Sequence, residues 1–192
     1  MVQRIDTPFI LWIMGPTSSG KTTVAEAFCR AVRQRGLAIL HFDGDEVRDF
    51  FGESLGFAAQ DRLRVVKTIL HLAGKAQRAG VHAVVSALTA NACAREELAR
   101  RLPDAAVCSL ECDLATCAAR DPKGLYRLAK DKRIDTLIGY NCAYQPPTRY
   151  DFRIDTSQTS VDDAVALLLQ GLAAKGHFDF QPGRAPAGGG EE

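Results

Sequence analysis

The run Gly15-Pro-Thr-Ser-Ser-Gly20-Lys21-Thr22 fits the pattern GxxxxGK[ST] and stands between an apolar run and a helical stretch. Glycines at its two ends let the backbone wrap closely round an anion. Successive backbone N–H groups then point inward, and the helix that follows adds the positive potential of its N-terminus. The Lys21 ammonium can reach β- and γ-phosphates, and the Thr22 hydroxyl can ligate Mg²⁺. Gly15, Pro16, Thr17, Ser18, Ser19, Gly20, Lys21, Thr22 and Thr23 are therefore the candidate phosphate-binding residues. A Ser/Gly-rich strand–helix turn without a ligand is the plain alternative, and Lys21, Thr22 and the flanking elements weigh against it.

His41-Phe42-Asp43-Gly44-Asp45-Glu46-Val47-Arg48 lies at the end of the second apolar run. Ligands of open α/β sheets collect at the carboxyl ends of the strands, which sets Asp43 and Asp45 beside the phosphate loop. Gly44 is expected to let the chain turn sharply between them. Asp43 suits Mg²⁺ held through water, Asp45 can orient or deprotonate an attacking hydroxyl, and Arg48 can receive an anionic group of the acceptor. Alone, this would read as an ordinary acidic turn. A third cluster, Arg120-Asp121-Pro122-Lys123-Gly124-Leu125-Tyr126-Arg127, supplies Arg120 and Lys123 as cations suited to closing over phosphates. A solvated charged loop is its alternative.

These residues need a frame. Short apolar runs at Phe9–Met14, Leu37–Phe42, Val81–Ser86, Ala105–Glu111 and Phe152–Asp155 read as strands. Amphipathic stretches at Lys21–Arg35, Asp61–Arg78, Ala92–Arg101, Leu114–Ala119 and Ser160–Ala174 read as helices. Their alternation implies an α/β fold with a parallel five-stranded sheet flanked by helices. Gly36 is a plausible stop for the first helix, and Ser160 a cap for the last, with Asp162 and Asp163 in its first turn. Residues 120–150 break the rhythm and read as a lid or binding loop. Residues 1–180 are expected to form a single domain and 181–192 a flexible tail, because QPGRAPAGGGEE lacks apolar residues that could offset ordering entropy.

Composition narrows the partners. The 192 residues carry 24 Lys plus Arg against 23 Asp plus Glu, a net charge of +1. Binding of bulk nucleic acid or of an acidic membrane needs a large basic excess, so neither is expected, whereas a local basic pocket for a small anion is compatible. The N-terminus lacks the pattern of an export signal, and Phe9–Met14 is too short to span a bilayer. A cytoplasmic location and reduced thiols are expected for the six cysteines. Cys108, Cys112 and Cys117 lack the paired CxxC spacing of a structural zinc site and read as small buried hydrophobes.

In order along the chain, the phosphate loop, the DGDxxR stretch, Leu55-Gly56-Phe57 with Asp61-Arg62, and RDPKGLY resemble the adenylyl-sulfate kinases. The likeness runs from about residue 9 to 156, ending at Asp155-Thr156. It implies a P-loop kinase fold that moves the γ-phosphoryl of ATP, with Mg²⁺, to the 3′-hydroxyl of adenylyl sulfate, and it implies a homodimer. It places Asp45 near the accepting hydroxyl, Arg48 and Arg62 on the acceptor's anionic portion, and Phe57 on its base. Arg120 and Lys123 fall in the lid, with Lys21, Asp43, Asp45 and Lys123 as the catalytic set. Arg120 and Thr156 join the ATP side; Val65, Thr89 and Leu137 join the acceptor side.

Departures from the family pattern fall on the acceptor side. Glu46 stands where Asn usually follows DGD. Arg64 and Val65 replace a Glu and an Asn, and Leu88-Thr89-Ala90 stands in place of ISP. Leu137-Ile138-Gly139 replaces FTG, so one face of an aromatic sandwich round the base is gone. Such stacking contributes roughly 0.5–1.5 kcal/mol, about two- to twelvefold in affinity. Two alternatives stay open: a kinase of a different anionic nucleotide or alcohol acceptor with a remodelled pocket, and a nucleotide-binding regulator without turnover.

Overall fold

Five of the apolar runs pair in parallel in the order β2-β3-β1-β4-β5. The strands are β1 (Ile10–Met14), β2 (Ile39–Asp43), β3 (His82–Ser86), β4 (Ala106–Glu111) and β5 (Phe152–Asp155). The helices are α1 (Lys21–Arg33), α2 (Gly44–Phe50), α3 (Ala59–Arg78), α4 (Ala92–Arg101), α5 (Leu114–Arg120), α6 (Leu125–Lys130) and α7 (Val161–Ala174). This is a computed structural model, and it describes residues 8–52 and 55–178.

The central strand explains why the phosphate loop is so well anchored. Every residue of β1 is buried. Side chains alternate across a strand, so Leu11 and Ile13 face α1 and α7 while Ile10, Trp12 and Met14 face α3 and α4. Each such aliphatic or aromatic side chain contributes roughly 1.5–3 kcal/mol by leaving water. A strand buried on both faces holds its carboxyl end, where the loop starts, in a fixed place. On the other flank, α7 lies against β5 at Gly171, where an added Cβ would fall 2.1 Å from Phe152 Cε1.

The ends of several elements differ from the sequence expectation for identifiable reasons. β2 runs from Ile39 to Asp43, shifted towards the site, because Leu37 N–H still bonds back to the Val32 carbonyl of α1 and pairing with β3 opens at the Ala38 carbonyl, which accepts from His82 N–H. α1 stops at Arg33, and Gly36 takes the left-handed conformation (φ +79) that closes the turn. α3 starts at Ala59, and Ser160 caps α7 by accepting from Asp163 N at 3.1 Å.

Gly44 does not form the expected sharp turn. It is the first residue of α2, packed so that a Cβ would meet the Ser86 carbonyl oxygen at 3.3 Å. α6 interrupts the 120–150 stretch expected to be irregular, and Arg120 belongs to α5 rather than to a mobile loop.

Cys29, Cys108 and Cys117 are buried, whereas Cys112 and Cys142 are half-buried and Cys93 is exposed. The tail expected at 181–192 lies outside the described residues. No described helix is long and apolar enough to cross a membrane.

Candidate active site

The phosphate loop joins β1 to α1 through two left-handed residues, Ser18 (φ +62) and Gly20 (φ +85). Gly15 passes β4 so closely that a Cβ would sit 2.6 Å from the Leu110 carbonyl oxygen, so only glycine fits. Lys21 Nζ donates to the Pro16 carbonyl at 2.6 Å, curling back over the loop. Burial lowers its pKa from 10.5 to about 8, against the pull of Asp45 and Asp43. A lysine held this way is ready to move from a carbonyl to a stronger anion.

Asp43 stands at the end of β2 and caps α2, its Oδ1 accepting from the Asp45 and Glu46 N–H groups at 2.8 and 3.4 Å. Its Oδ2 accepts from Thr22 Oγ1 at 2.7 Å and from Ser86 Oγ. Burial works to raise this carboxyl, but the hydrogen bonds from Ser86, Thr22 and the two amides outweigh it and hold it below its ordinary value. With the Ser86 proton committed to Asp43, the hydrogen-bond pattern assigns the proton on His41 Nε2, which donates to Ser86 Oγ at 2.8 Å. Burial also pushes the His41 pKa down, against the nearby Asp43 carboxylate.

Asp45, one helical step further on, pairs with Lys123 Nζ at 2.7 Å across the mouth of the cavity. Both side chains are more than half exposed (63% and 54%), so the pair contributes little and exchanges readily. Arg120 donates to the Thr156 carbonyl at 2.7 Å and to Thr156 Oγ1 at 3.2 Å, and that hydroxyl donates to the Ser19 carbonyl at 2.9 Å. Arg120 is thus tied to the loop through the residue just beyond β5. α6 is docked by Tyr126, a buried phenol that donates to the Thr17 carbonyl at 3.0 Å. Burial raises its pKa well above the ordinary range and keeps it a donor.

One cavity of about 550 Å³ connects these groups to the acceptor-side candidates. Thr17, Ser18, Gly20, Lys21, Thr22, Thr23, Asp43, Asp45, Arg120 and Lys123 line one part of it. Arg48, Phe57, Arg62, Val65, Thr89 and Leu137 line the rest. Gly15, Pro16, Ser19 and Thr156 sit behind this wall, shaping the loop. The Arg48 guanidinium lies 4.8 Å from the centre of the Phe57 ring. Arg62 donates at 2.9 Å to the carbonyls of both Phe57 and Thr136. Val65 and Leu137 are buried apolar walls, and Thr89 Oγ1 accepts from Trp12 Nε1 at 2.9 Å.

Three residues that support the site escape the sequence reading: Ser86, His41 and Tyr126. Ser86 was within reach, since it ends an expected strand at the ligand-binding edge. Tyr126 lies in the RDPKGLY run itself. His41 reaches the site only through Ser86, brought close by the pairing of β2 with β3, and no local signal marks it.

Comparison with known proteins agrees with this geometry. Residues 7–155 match the Adenylylsulphate kinase family. An adenylyl-sulfate kinase of Marinobacter nauticus is 33% identical over 165 residues, covering 84% of this chain and 82% of that one. One of Vibrio cholerae is 33% identical over 170 residues, covering 88% and 79%. The structure of the Mycobacterium tuberculosis APS kinase CysC in complex with AMPPNP and APS is 28% identical with a TM-score of 0.80, covering 87% of this chain and 98% of that one. A gluconokinase from Sinorhizobium meliloti, 20% identical with a TM-score of 0.57, shares the fold alone. With two thirds and more of its length matched, and a parallel α/β sheet carrying the phosphate loop at its centre, this chain belongs to the adenylylsulphate kinase family.

Proposed function

We propose that this protein transfers the γ-phosphoryl group of ATP to the 3′-hydroxyl of adenylyl sulfate, giving 3′-phosphoadenylyl sulfate and ADP. The observation that carries the reading is the meeting, in one cavity, of a lysine-bearing phosphate loop with two carboxylates of different surroundings. Asp43 is enclosed and held ionised by four donors, whereas the Asp45 carboxylate is open to the cavity and paired with the half-exposed Lys123. That division suits one for a metal and the other for a proton.

The loop amides and Lys21 bind the β- and γ-phosphates, and Arg120, fixed by Thr156, borders the same nucleotide. The hard oxygens of Thr22 and Asp43 fit Mg²⁺ and would hold it, Asp43 through water; when bound, the ion would supply charge neutralisation on the phosphate oxygens. Asp45 orients the acceptor hydroxyl and takes its proton as the new oxygen–phosphorus bond forms and the bond from the γ-phosphorus to the bridging oxygen of ADP breaks. Lys123 then leaves Asp45 for the transferring phosphoryl group. Arg48 and Arg62 hold the anionic portion of the acceptor, Phe57 packs on its base, and Val65, Thr89 and Leu137 complete that wall. Residues 120–150 act as a lid that excludes water, within a single domain spanning 1–180. A homodimer, which light scattering of the purified protein would test, and a cytoplasmic location complete the reading.

The apolar pair Val65 and Leu137 favours one second reading, a different anionic nucleotide or alcohol as acceptor. Incubation with ATP, Mg²⁺ and adenylyl sulfate, followed by ADP release, separates the two. Rapid release that falls by orders of magnitude in Lys21→Ala is the expected result. Release only with other acceptors supports the second reading, and ATP binding without turnover on any acceptor refutes both.

A further inference from the structure

We infer that Arg95 is a positioning residue for the acceptor end of the cavity, a clamp tying the turn after β3 to the far end of the 120–150 segment. It rests on the proposed reaction for the identity of the acceptor. Asn91 caps α4, its side chain accepting from Ala94 N at 3.0 Å, and Arg95 follows at the end of the first turn. Its Nη1 donates to three carbonyls: Thr89 at 3.2 Å, Ala90 at 2.9 Å and Gln145 at 3.0 Å. A terminal guanidinium nitrogen carries only two hydrogens, so three carbonyl dipoles converge on one cationic group.

Two of those carbonyls belong to residues that line the cavity, Thr89 and Ala90, whereas Arg95 stays behind the wall. Thr89 has φ +44, a conformation that a β-branched residue rarely adopts and that persists only when neighbours over-determine it. Trp12 holds its hydroxyl from the core side at 2.9 Å, and Arg95 holds its carbonyl from α4. Gln145 sits just before Pro146-Pro147 on the way to β5. Through Arg95, the strained wall of the acceptor site and the end of the long segment therefore share one cation. Loosening either frees the other.

Arg95→Ala should raise the acceptor KM about tenfold, the effect of losing a charge-assisted hydrogen-bond set, while the ATP Kd stays within about twofold. Amide hydrogen exchange should speed up about tenfold both at the hydrogen-bonded N–H groups of Ala87, Ala94 and Arg95 and at those of Gly139, Tyr140, Asn141 and Cys142, which lead to Gln145, and not elsewhere. Arg95→Lys, which keeps a cation with three donors, should recover most of the acceptor KM. Should Arg95→Ala fail to fold, Arg95→Gln carries the same measurements. An unchanged acceptor KM, a parallel loss of ATP and acceptor affinity, or faster exchange in only one of the two segments would overturn the clamp. The exchange arm needs no substrate, so absence of turnover on adenylyl sulfate refutes the proposed reaction and leaves exchange to decide the clamp.

Discussion

ATP binding should draw a proton from solution above pH 8 and almost none at pH 7. The cause is Lys21, whose ammonium burial lowers to about 8 in the free protein. From that value roughly a tenth of the chains carry neutral Lys21 at pH 7, about half at pH 8 and roughly nine tenths at pH 9. Phosphates placed beside it favour the charged form, so binding restores the missing proton. Proton uptake should therefore rise from about 0.1 to about 0.9 per ATP over this range, and affinity should weaken about fivefold between pH 8 and 9. Calorimetry in two buffers of different ionisation enthalpy, with excess Mg²⁺ to keep ATP itself deprotonated, measures the uptake. Uptake that stays flat from pH 7 to 9, or that persists in Lys21→Met, would refute the assignment. The same depressed pKa has a stability consequence of opposite sense. Between about 8 and 10.5 the unfolded chain binds a proton that the folded chain has released, so Tm should gain from this group as pH rises.

Other perturbations separate the parts of the site. Asp43→Asn removes the charge that Thr22 and Ser86 converge on and sets an amide donor against theirs, so it should raise the Mg²⁺ concentration for half-maximal turnover about tenfold or more, read by a metal titration, and lower Tm as well. Leu137→Phe restores a ring to the acceptor wall and should tighten adenylyl sulfate about two- to twelvefold without altering ATP binding, which calorimetry checks. Gly171→Ala forces a Cβ onto the Phe152 ring and should cost about 1–3 kcal/mol, read as a lower Tm, with turnover per folded molecule intact.

Much of the fold was written locally. The β1 run, the phosphate loop and the α1 face each carry their own signal, and the strand–helix alternation implied the parallel sheet. Short helices were harder. α2 has seven residues and no buried side chain, so no apolar period announces it; its cue is the capping carboxylate of Asp43, which the functional reading of DGD absorbed. α6, at six residues, is anchored by Tyr126 reaching the Thr17 carbonyl 109 positions away, a contact that only the tertiary fold creates. Lys123 was legible as a cation near phosphates, yet its pairing with Asp45 depends on how the segment after α5 crosses the cavity. His41 belongs to the same class, its effect passing through Ser86 45 positions away, and Arg95 joins it only through Gln145, 50 positions on, because its Thr89 and Ala90 partners are local.

The most direct measurement is the position of the transferred phosphoryl group. The purified protein, ATP, Mg²⁺ and adenylyl sulfate are combined and the product is examined by ³¹P NMR and mass spectrometry. A single new phosphomonoester on the ribose 3′-oxygen, formed with one ADP per product and lost in Asp45→Asn, is the predicted result. Phosphorylation elsewhere, or ADP formed without a phosphorylated acceptor, would contradict it.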